Sequence, residues 1–176
     1  VDQSGNVFAL NRQSSTSVCK WDSSGTFLNC WQCGEDCRGL SEHDGTLYAT
    51  ELRRGPKVIY WDSSSMRRKD YFWIDDNRYP YDLEVTSQGV YITNLYQNFV
   101  QKYPLTGSTG RNYTKWGSYG TGNSQFKYPY GLGSDSSNNI FVADRSNHAV
   151  KKYDSNGSYL SRIGSPPDTR MTESMK

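Results

Sequence analysis

A strand–turn–strand pattern that recurs four times is the feature that most constrains the fold of this 176-residue sequence. Each copy has a small polar entry followed by alternating apolar and aromatic residues: GNVFAL (5–10), GTLYAT (45–50), QGVYIT (88–93) and NNIFVA (138–143). About ten residues later, each copy has a second strand-like segment. These segments contain the aromatic anchors Trp21, Trp61, Tyr103 and Tyr153.

Repeats of about 40 to 50 residues, with four short strands and no helical pattern, are typical of β-propeller blades. A single small sheet cannot bury both of its faces, so each blade needs neighbours stacked against it. The sequence therefore predicts an all-β fold, a β-propeller of about four blades, each a four-stranded antiparallel sheet. We expect a single domain over 1–176 with blades at about 1–33, 34–76, 77–116 and 117–164.

The last unit resembles an NHL repeat. It has a Gly-rich lead-in, the segment Phe126…Pro129…Gly131-Leu132, then VADRSNHAV (142–150) and a final DSNG (154–157). The other three units lack the Asp-x-x-Asn-His core. The resemblance implies a propeller that binds RNA or protein, and it implies that Asp144, Asn147 and His148 chiefly tie a loop to the backbone.

The first blade is expected to lack an inner strand, because Val1-Asp2 aligns with Ser134-Asp135, just past the inner strand of the last blade. The segment SPPDTRMTESMK (165–176) is a candidate for that strand, and a frayed terminus is the alternative. NHL propellers usually have about six blades. Three arrangements stay open: a closed four-blade ring, a piece of a larger ring, or a ring completed by self-association with another copy.

The charge balance argues against a dedicated nucleic-acid binder, although it does not exclude one. The net charge is +2 with 22% charged residues, and the basic clusters, Arg53-Arg54 and RRK (67–69), are short. No apolar run approaches the length of a membrane span, so no membrane partner is predicted.

Four cysteines lie within the first 37 residues: Cys19, Cys30, Cys33 and Cys37. If Ser24-Gly25 forms a two-residue hairpin, Cys19 lies opposite Cys30, which leaves Cys33 to bond Cys37. Free thiols and a zinc site are the alternatives. Disulfides imply an oxidising compartment, and the glycosylation acceptors Asn112 and Asn156 point the same way. We expect a secreted protein, with a cytoplasmic one as the alternative.

In a propeller, the loops between strands two and three and the loops between blades emerge on the same face. That face is expected to carry the candidate ligand-binding residues, which are Tyr and Arg side chains of the kind enriched at binding hot spots. They are Arg53, Arg54, Arg78, Tyr79, Tyr81, Tyr96, Tyr128, Tyr130, Arg145 and His148. The competing interpretation is that the two YPY segments (79–81 and 128–130) are repeat consensus and the Arg pair is solvated.

An enzyme is the less favoured interpretation. Amidating lyases resemble NHL repeats but need several metal-binding histidines around the axis, and this chain has only His43 and His148. No nucleophile arrangement occurs, and the acidic pairs Glu35-Asp36 and Asp75-Asp76 are expected to be solvated rather than to bind calcium. No cofactor and no metal are predicted.

Three functions follow from the sequence. The first is a secreted, non-enzymatic module that binds glycan or protein through the loop face. The second is an intracellular RNA- or protein-binding NHL domain of a larger regulator. The third is a structural or adhesive matrix protein.

Overall fold

The computed structural model describes residues 1–12, 16–53, 55–75, 79–105 and 112–164. They form fifteen β-strands and one 3₁₀ helix, Arg145–Asn147. Blades 1 and 2 contain β1 (Val7–Asn11), β2 (Thr16–Trp21), β3 (Phe27–Gly34), β4 (Cys37–His43), β5 (Thr46–Glu51), β6 (Lys57–Asp62) and β7 (Arg68–Trp73). Blades 3 and 4 contain β8 (Pro80–Thr86), β9 (Gly89–Asn94), β10 (Phe99–Tyr103), β11 (Thr114–Trp116), β12 (Pro129–Ser134), β13 (Ile140–Asp144), β14 (Ala149–Tyr153) and β15 (Tyr159–Ile163).

The strands form four antiparallel sheets, each in sequence order, which confirms the predicted all-β propeller architecture. Three sheets have four strands, and blade 1 has three, β1 to β3. The inner strands β4, β8 and β12 each have a register shift at the same repeat position, before Leu40, Leu83 and Leu132. The repeat is therefore preserved in the backbone as well as in the residue pattern.

The hydrophobic core lies between blades, because alternate residues of each strand face opposite neighbours. In β5, Leu47 and Ala49 pack against blade 1 while Tyr48 packs against blade 3. In β9, Tyr91 packs instead against blade 4. Within the described residues, three such clusters join blades 1–2, 2–3 and 3–4, and none joins blade 4 to blade 1. The four blades thus form an arc.

Buried tyrosines fill the wide space between blades and keep their hydroxyls paired. Tyr91, Tyr103 and Tyr153 are fully buried. The hydroxyls of Tyr91 and Tyr153 donate to the carbonyls of Ser155 (2.9 Å) and Asn123 (2.7 Å). Tyrosine therefore suits this position because its ring buries apolar area while its hydroxyl reaches a partner at the edge of the sheet.

Five turns are closed by an aspartate whose side chain accepts backbone N–H groups two to four residues later, as in Asx turns. These aspartates are Asp2, Asp22, Asp62, Asp135 and Asp154. Hydrogen bonds from Ser24 and Thr26 hold the pKa of Asp22 below its ordinary value. The repeated Asp is thus a turn-forming residue, which the sequence pattern did not single out.

Both disulfides join the cysteines that the sequence pairs: Cys19–Cys30 within blade 1, and Cys33–Cys37 across the junction between blades 1 and 2. The turn that sets the first pairing differs from the prediction. It is a loop over 22–26 rather than a two-residue hairpin, and a bulge between Lys20 and Trp21 restores the register. The extra residues accommodate the side-chain hydrogen bonds of Asp22.

Strand β1 distinguishes blade 1 from the other blades, because one of its faces is exposed and its inner edge is unpaired among the described residues. Val7, Ala9 and Asn11 are exposed, whereas the corresponding residues of β5, from Leu47 to Glu51, are buried. Among the described residues, no strand pairs with this edge of β1. The segment 165–176, predicted to supply such a strand, lies outside the described residues. The part of the chain that is described contains no helix with the length and apolarity that crossing a membrane requires.

Candidate functional site

The loops β5–β6, β9–β10 and β13–β14 and the blade-to-blade connections gather at one end of the sheets, here called the loop face. Direct contacts join these loops. The backbone N–H of Tyr128 donates to the Asn98 side chain (2.8 Å), and that of Ser146 donates to the Lys127 carbonyl (3.0 Å). Loops from blades 3 and 4 therefore form one continuous surface.

The Asp-x-x-Asn segment of blade 4 holds the loop that joins blades 3 and 4 through buried side-chain contacts. Asp144 and Asn147 are fully buried. Asp144 accepts the Lys127 N–H (2.7 Å) and pairs with the buried ammonium of Lys151 (2.8 Å), while Asn147 donates to the Gly120 carbonyl (2.8 Å). Their contacts are loop-supporting ones. His148 follows in a left-handed conformation and its side chain is exposed.

Three exposed tyrosines form the tyrosine row, defined as Tyr79, Tyr96 and Tyr128. Tyr96 lies in the centre, with edge-to-face contacts to Tyr79 (ring centroids 4.9 Å apart) and Tyr128 (6.4 Å). Tyr96 is 57% exposed and Tyr128 42%. The row presents ring faces to solvent while its members support one another.

A second line of side chains crosses the first residues of the inner strands. It is called the Arg–Tyr line and contains Arg38, Tyr81, Tyr130 and Arg145. Arg38, Tyr81 and Tyr130 occupy the same repeat position on blades 2, 3 and 4, one residue after the start of each inner strand. The guanidinium of Arg38 lies over the Tyr81 ring (5.4 Å) and that of Arg145 lies over Tyr130 (5.6 Å). Between them, the Tyr81 hydroxyl donates to that of Tyr130.

The sequence interpretation missed Arg38, although the repeat contains the signal. Arg38 precedes Gly39-Leu40 as Tyr130 precedes Gly131-Leu132. The change from Tyr to Arg hid the equivalence, because the comparison relied on the YPY segments of the later blades.

Hydrogen bonds between blades 3 and 4 fix the backbone beneath this line. The Thr93 hydroxyl accepts the Asp82 N–H (3.0 Å) and donates to the Tyr130 carbonyl (3.0 Å), and the Asp82 carboxylate accepts the Leu132 N–H (2.9 Å). Burial raises the pKa of Asp82 to about 6. The two inner strands are thus held side by side at the mouth of the axis.

The remaining predicted residues are less tightly grouped. Arg53 is exposed and pairs with Glu35 (3.6 Å). Arg54 and Arg78 lie outside the described residues. In the part of the chain that is described, no ring or ion-pair contact joins Arg53 or His148 to the tyrosine row.

Within the described segments, no group of three or more His, Cys, Asp or Glu side chains is placed to hold an ion. Asp36 instead accepts hydrogen bonds from Arg38 (3.2 Å) and Arg12 (3.0 Å). Asp76 lies outside the described residues.

The two predicted glycosylation acceptors lie together on the turn face, the end of the sheets opposite the loop face. Asn112 and Asn156 are both exposed and line one cavity of about 340 Å³ together with Lys102 and Tyr113. A glycan on either asparagine would leave the tyrosine row and the Arg–Tyr line uncovered.

Comparisons with known proteins bear on the fold. The family model described as NHL repeat matches residues 126–153, the part of blade 4 that contains the Asp144–Asn147 network. No curated protein matches the chain.

Several solved structures share the fold at low sequence identity. A chain of the nidogen/laminin complex matches with a TM-score of 0.69 at 16% identity, covering 91% of this chain and 59% of that one. A streptogramin B lyase matches with a TM-score of 0.68 at 13% identity, covering 96% and 54%. The glutaminyl cyclase of Myxococcus xanthus matches with a TM-score of 0.64 at 12% identity, covering 93% and 68%. This chain therefore spans little more than half the length of the first two. Residues 126–153 of blade 4 match the NHL-repeat model, and the four blades together have the β-propeller fold.

Proposed function

We propose that this protein is a non-enzymatic extracellular module that binds a protein partner through the loop face. The observation that carries the proposal is the exposed tyrosine row, together with the partly exposed Arg–Tyr line, whose tyrosines follow Tyr79 and Tyr128 by two residues. These two residue types are enriched among the side chains that dominate binding energy at protein interfaces. The two disulfides support the extracellular assignment, since such bonds persist in oxidising compartments.

Pre-organisation favours a binding role for these tyrosines over a purely structural one. Tyr96 and Tyr128 have large exposed fractions, yet edge-to-face contacts and the Asn98 hydrogen bond fix their positions. Side chains that are already ordered lose little conformational entropy when a partner binds. Buried repeat tyrosines such as Tyr103, by contrast, are inside the junctions and have no access to a partner.

A protein partner is favoured over a glycan on two grounds. Arg145 lies over the Tyr130 ring, and no carboxylate of the described residues pairs with it, so its donors remain open to acidic or carbonyl groups. The nidogen/laminin complex, a protein–protein assembly by its title, includes a chain with this fold. Glycan binding through the same tyrosines is the alternative outcome of the test below.

The test compares three variants of the disulfide-bonded protein: Tyr96→Ala, Tyr128→Ala and the matched control Tyr71→Ala. Tyr71 is as exposed as Tyr128, at 42%, but belongs to β7 at the outer edge of blade 2. Each protein is immobilised and exposed to purified extracellular-matrix proteins and to a glycan array. We expect one matrix protein to bind the wild type and the control, and to bind the two row variants about 10- to 100-fold more weakly.

Circular dichroism melting of each variant shows whether the fold survives. Binding that depends equally on Tyr71 would contradict the loop face as the site. Loss of glycan binding in the row variants, without any protein ligand, would reassign the module to carbohydrate recognition.

A further inference from the structure

We propose that Tyr81 and Tyr130 form a site of oxidative cross-linking, at which a peroxidase and hydrogen peroxide join the two phenols as dityrosine. The link would connect blades 3 and 4 covalently at the mouth of the axis. It would complement the Cys33–Cys37 disulfide, which already connects blades 1 and 2.

The geometry of the two rings carries the proposal. Their centroids are 4.0 Å apart with an interplanar angle of 43°, the shortest ring–ring separation among the described aromatic pairs. The two hydroxyls are hydrogen-bonded to each other. In phenoxyl radicals, coupling occurs at the ring carbons next to the hydroxyl-bearing carbon. Contact between the hydroxyls therefore brings the reacting carbons of both rings together.

Hydrogen bonds between blades 3 and 4 hold together the backbones that carry the two rings. Thr93 bridges the Asp82 N–H and the Tyr130 carbonyl, each at 3.0 Å, and the Asp82 carboxylate accepts the Leu132 N–H. Arg38 and Arg145 cover the outer faces of the two rings. Holding two reactants in a reactive arrangement greatly raises their effective concentration. Coupling within the pair is thus favoured over coupling to a second molecule.

The reaction balances with one peroxide per link. The peroxidase removes one electron and the phenolic proton from each tyrosine, which gives two neutral phenoxyl radicals. A carbon–carbon bond forms between the rings, and the hydrogen on each coupled carbon moves to its phenoxyl oxygen, which restores both phenols. The two electrons and two protons reduce hydrogen peroxide to two waters. Tyr130 is 37% exposed, so an oxidant in solvent reaches the pair.

The experiment treats the native protein with horseradish peroxidase and limiting hydrogen peroxide, then records dityrosine fluorescence and maps cross-linked peptides by mass spectrometry. We expect one dominant product, a monomer that has lost two hydrogen atoms and has a link between Tyr81 and Tyr130. Tyr81→Phe should lower the fluorescence about tenfold, because the remaining tyrosines lack this proximity. Tyr119→Phe is the control and should retain the full yield, although Tyr119 is 64% exposed.

Peptide mapping of the wild type identifies the linked residues directly, whether or not Tyr81→Phe folds well. A dominant link between Tyr79 and Tyr96, or links mainly between molecules, would overturn it. Oxidation in denaturant should abolish the selectivity. A product distribution that is the same in native and denatured protein would also contradict the proposal.

Discussion

At the scale of single residues, Asp82 departs most clearly from the repeat. It occupies the inner-strand position at which blades 2 and 4 carry Gly39 and Gly131. Glycine is required at 39 because a Cβ there would lie 2.4 Å from the Leu83 nitrogen. At position 82, the side chain instead reaches blade 4 and accepts the Leu132 N–H. At this position blade 3 therefore has a half-buried carboxylate that bonds to blade 4, whereas blade 2 has a glycine in close backbone contact.

We predict that the Asp82 carboxylate lowers the free energy of unfolding as the pH rises from about 4 to about 6. Burial raises the pKa of Asp82 from 3.8 to about 6, so the folded state binds the proton more tightly than the unfolded state does. Ionisation above that range therefore costs stability, by about 2–3 kcal/mol at 1.4 kcal/mol per pKa unit. Asp82→Asn keeps an oxygen acceptor without the charge, and it should remove this pH dependence.

The measurement is urea unfolding of wild type and Asp82→Asn at pH 4.5 and 7.5. We expect the wild type to lose stability between the two values, and the variant to be more stable than wild type at the higher one. The exposed Asp70→Asn is the control and should follow the wild type. If Asp82→Asn and wild type have equal pH slopes, another group is responsible.

The residue scale also shows what sequence reasoning could and could not predict. The anchors Trp61, Tyr103 and Tyr153 are buried as their spacing predicts, because each faces a neighbouring blade. Trp21 is only partly buried, since none of the described blades covers the face of blade 1 opposite blade 2. The buried Lys20 and Lys151 were not predicted. A lysine is normally exposed, and only the folded chain supplies their partners Asp2 (3.6 Å) and Asp144.

At the scale of elements, the apolar clusters between blades join neighbouring sheets, and one of the two disulfides, Cys33–Cys37, crosses the junction between the three-stranded blade 1 and blade 2. Blade 1 has three strands and an exposed β1, so it buries less than the other blades. Cys33 on β3 and Cys37 on β4 lie within the apolar cluster that joins blade 1 to blade 2. Their bond therefore ties an incomplete sheet to a complete one. The candidate site also depends on a junction, because contacts between blades 3 and 4 position its tyrosines.

Removing this bond should release blade 1 before the rest of the arc. The double variant Cys33→Ala/Cys37→Ala loses the constraint on the unfolded chain, which stabilises by about 2 kcal/mol for so short a loop. Hydrogen exchange should become faster in β1 to β3 and stay unchanged in β8 to β15, because regions of a protein open with separate free energies.

The comparison is Cys19→Ala/Cys30→Ala, which removes a bond within blade 1 and leaves the junction bond intact. We expect faster exchange mainly in β2 and β3 of this variant. Exchange that rises equally in all four blades of the junction variant would show that the arc unfolds as one unit.

At the scale of the whole molecule, the four blades form an arc that matches little more than half of the longer propeller chains. The sequence repeat predicted the number of blades because each blade contains one copy of the strand pattern. The repeat could not predict what covers the two ends of the arc, because those contacts involve segments that lack the repeat pattern. β1 offers an unpaired edge among the described residues, and such edges recruit further strands.

We predict that residues 166–174 pair with β1, in the same chain or in a partner copy, and complete blade 1. Pro166-Pro167 begins this segment as Pro80 and Pro129 begin the inner strands of blades 3 and 4. A chain ending at Gly164 should therefore melt at a lower temperature, by about 2–4 °C for each kcal/mol lost. Hydrogen exchange should accelerate in β1 but not in β9, which is already paired on both sides.

Light scattering at several dilutions distinguishes pairing within one chain from pairing between copies, because only the second makes the mass depend on residues 165–176. A truncated protein with unchanged melting temperature, mass and β1 exchange would show that the segment does not complete the blade.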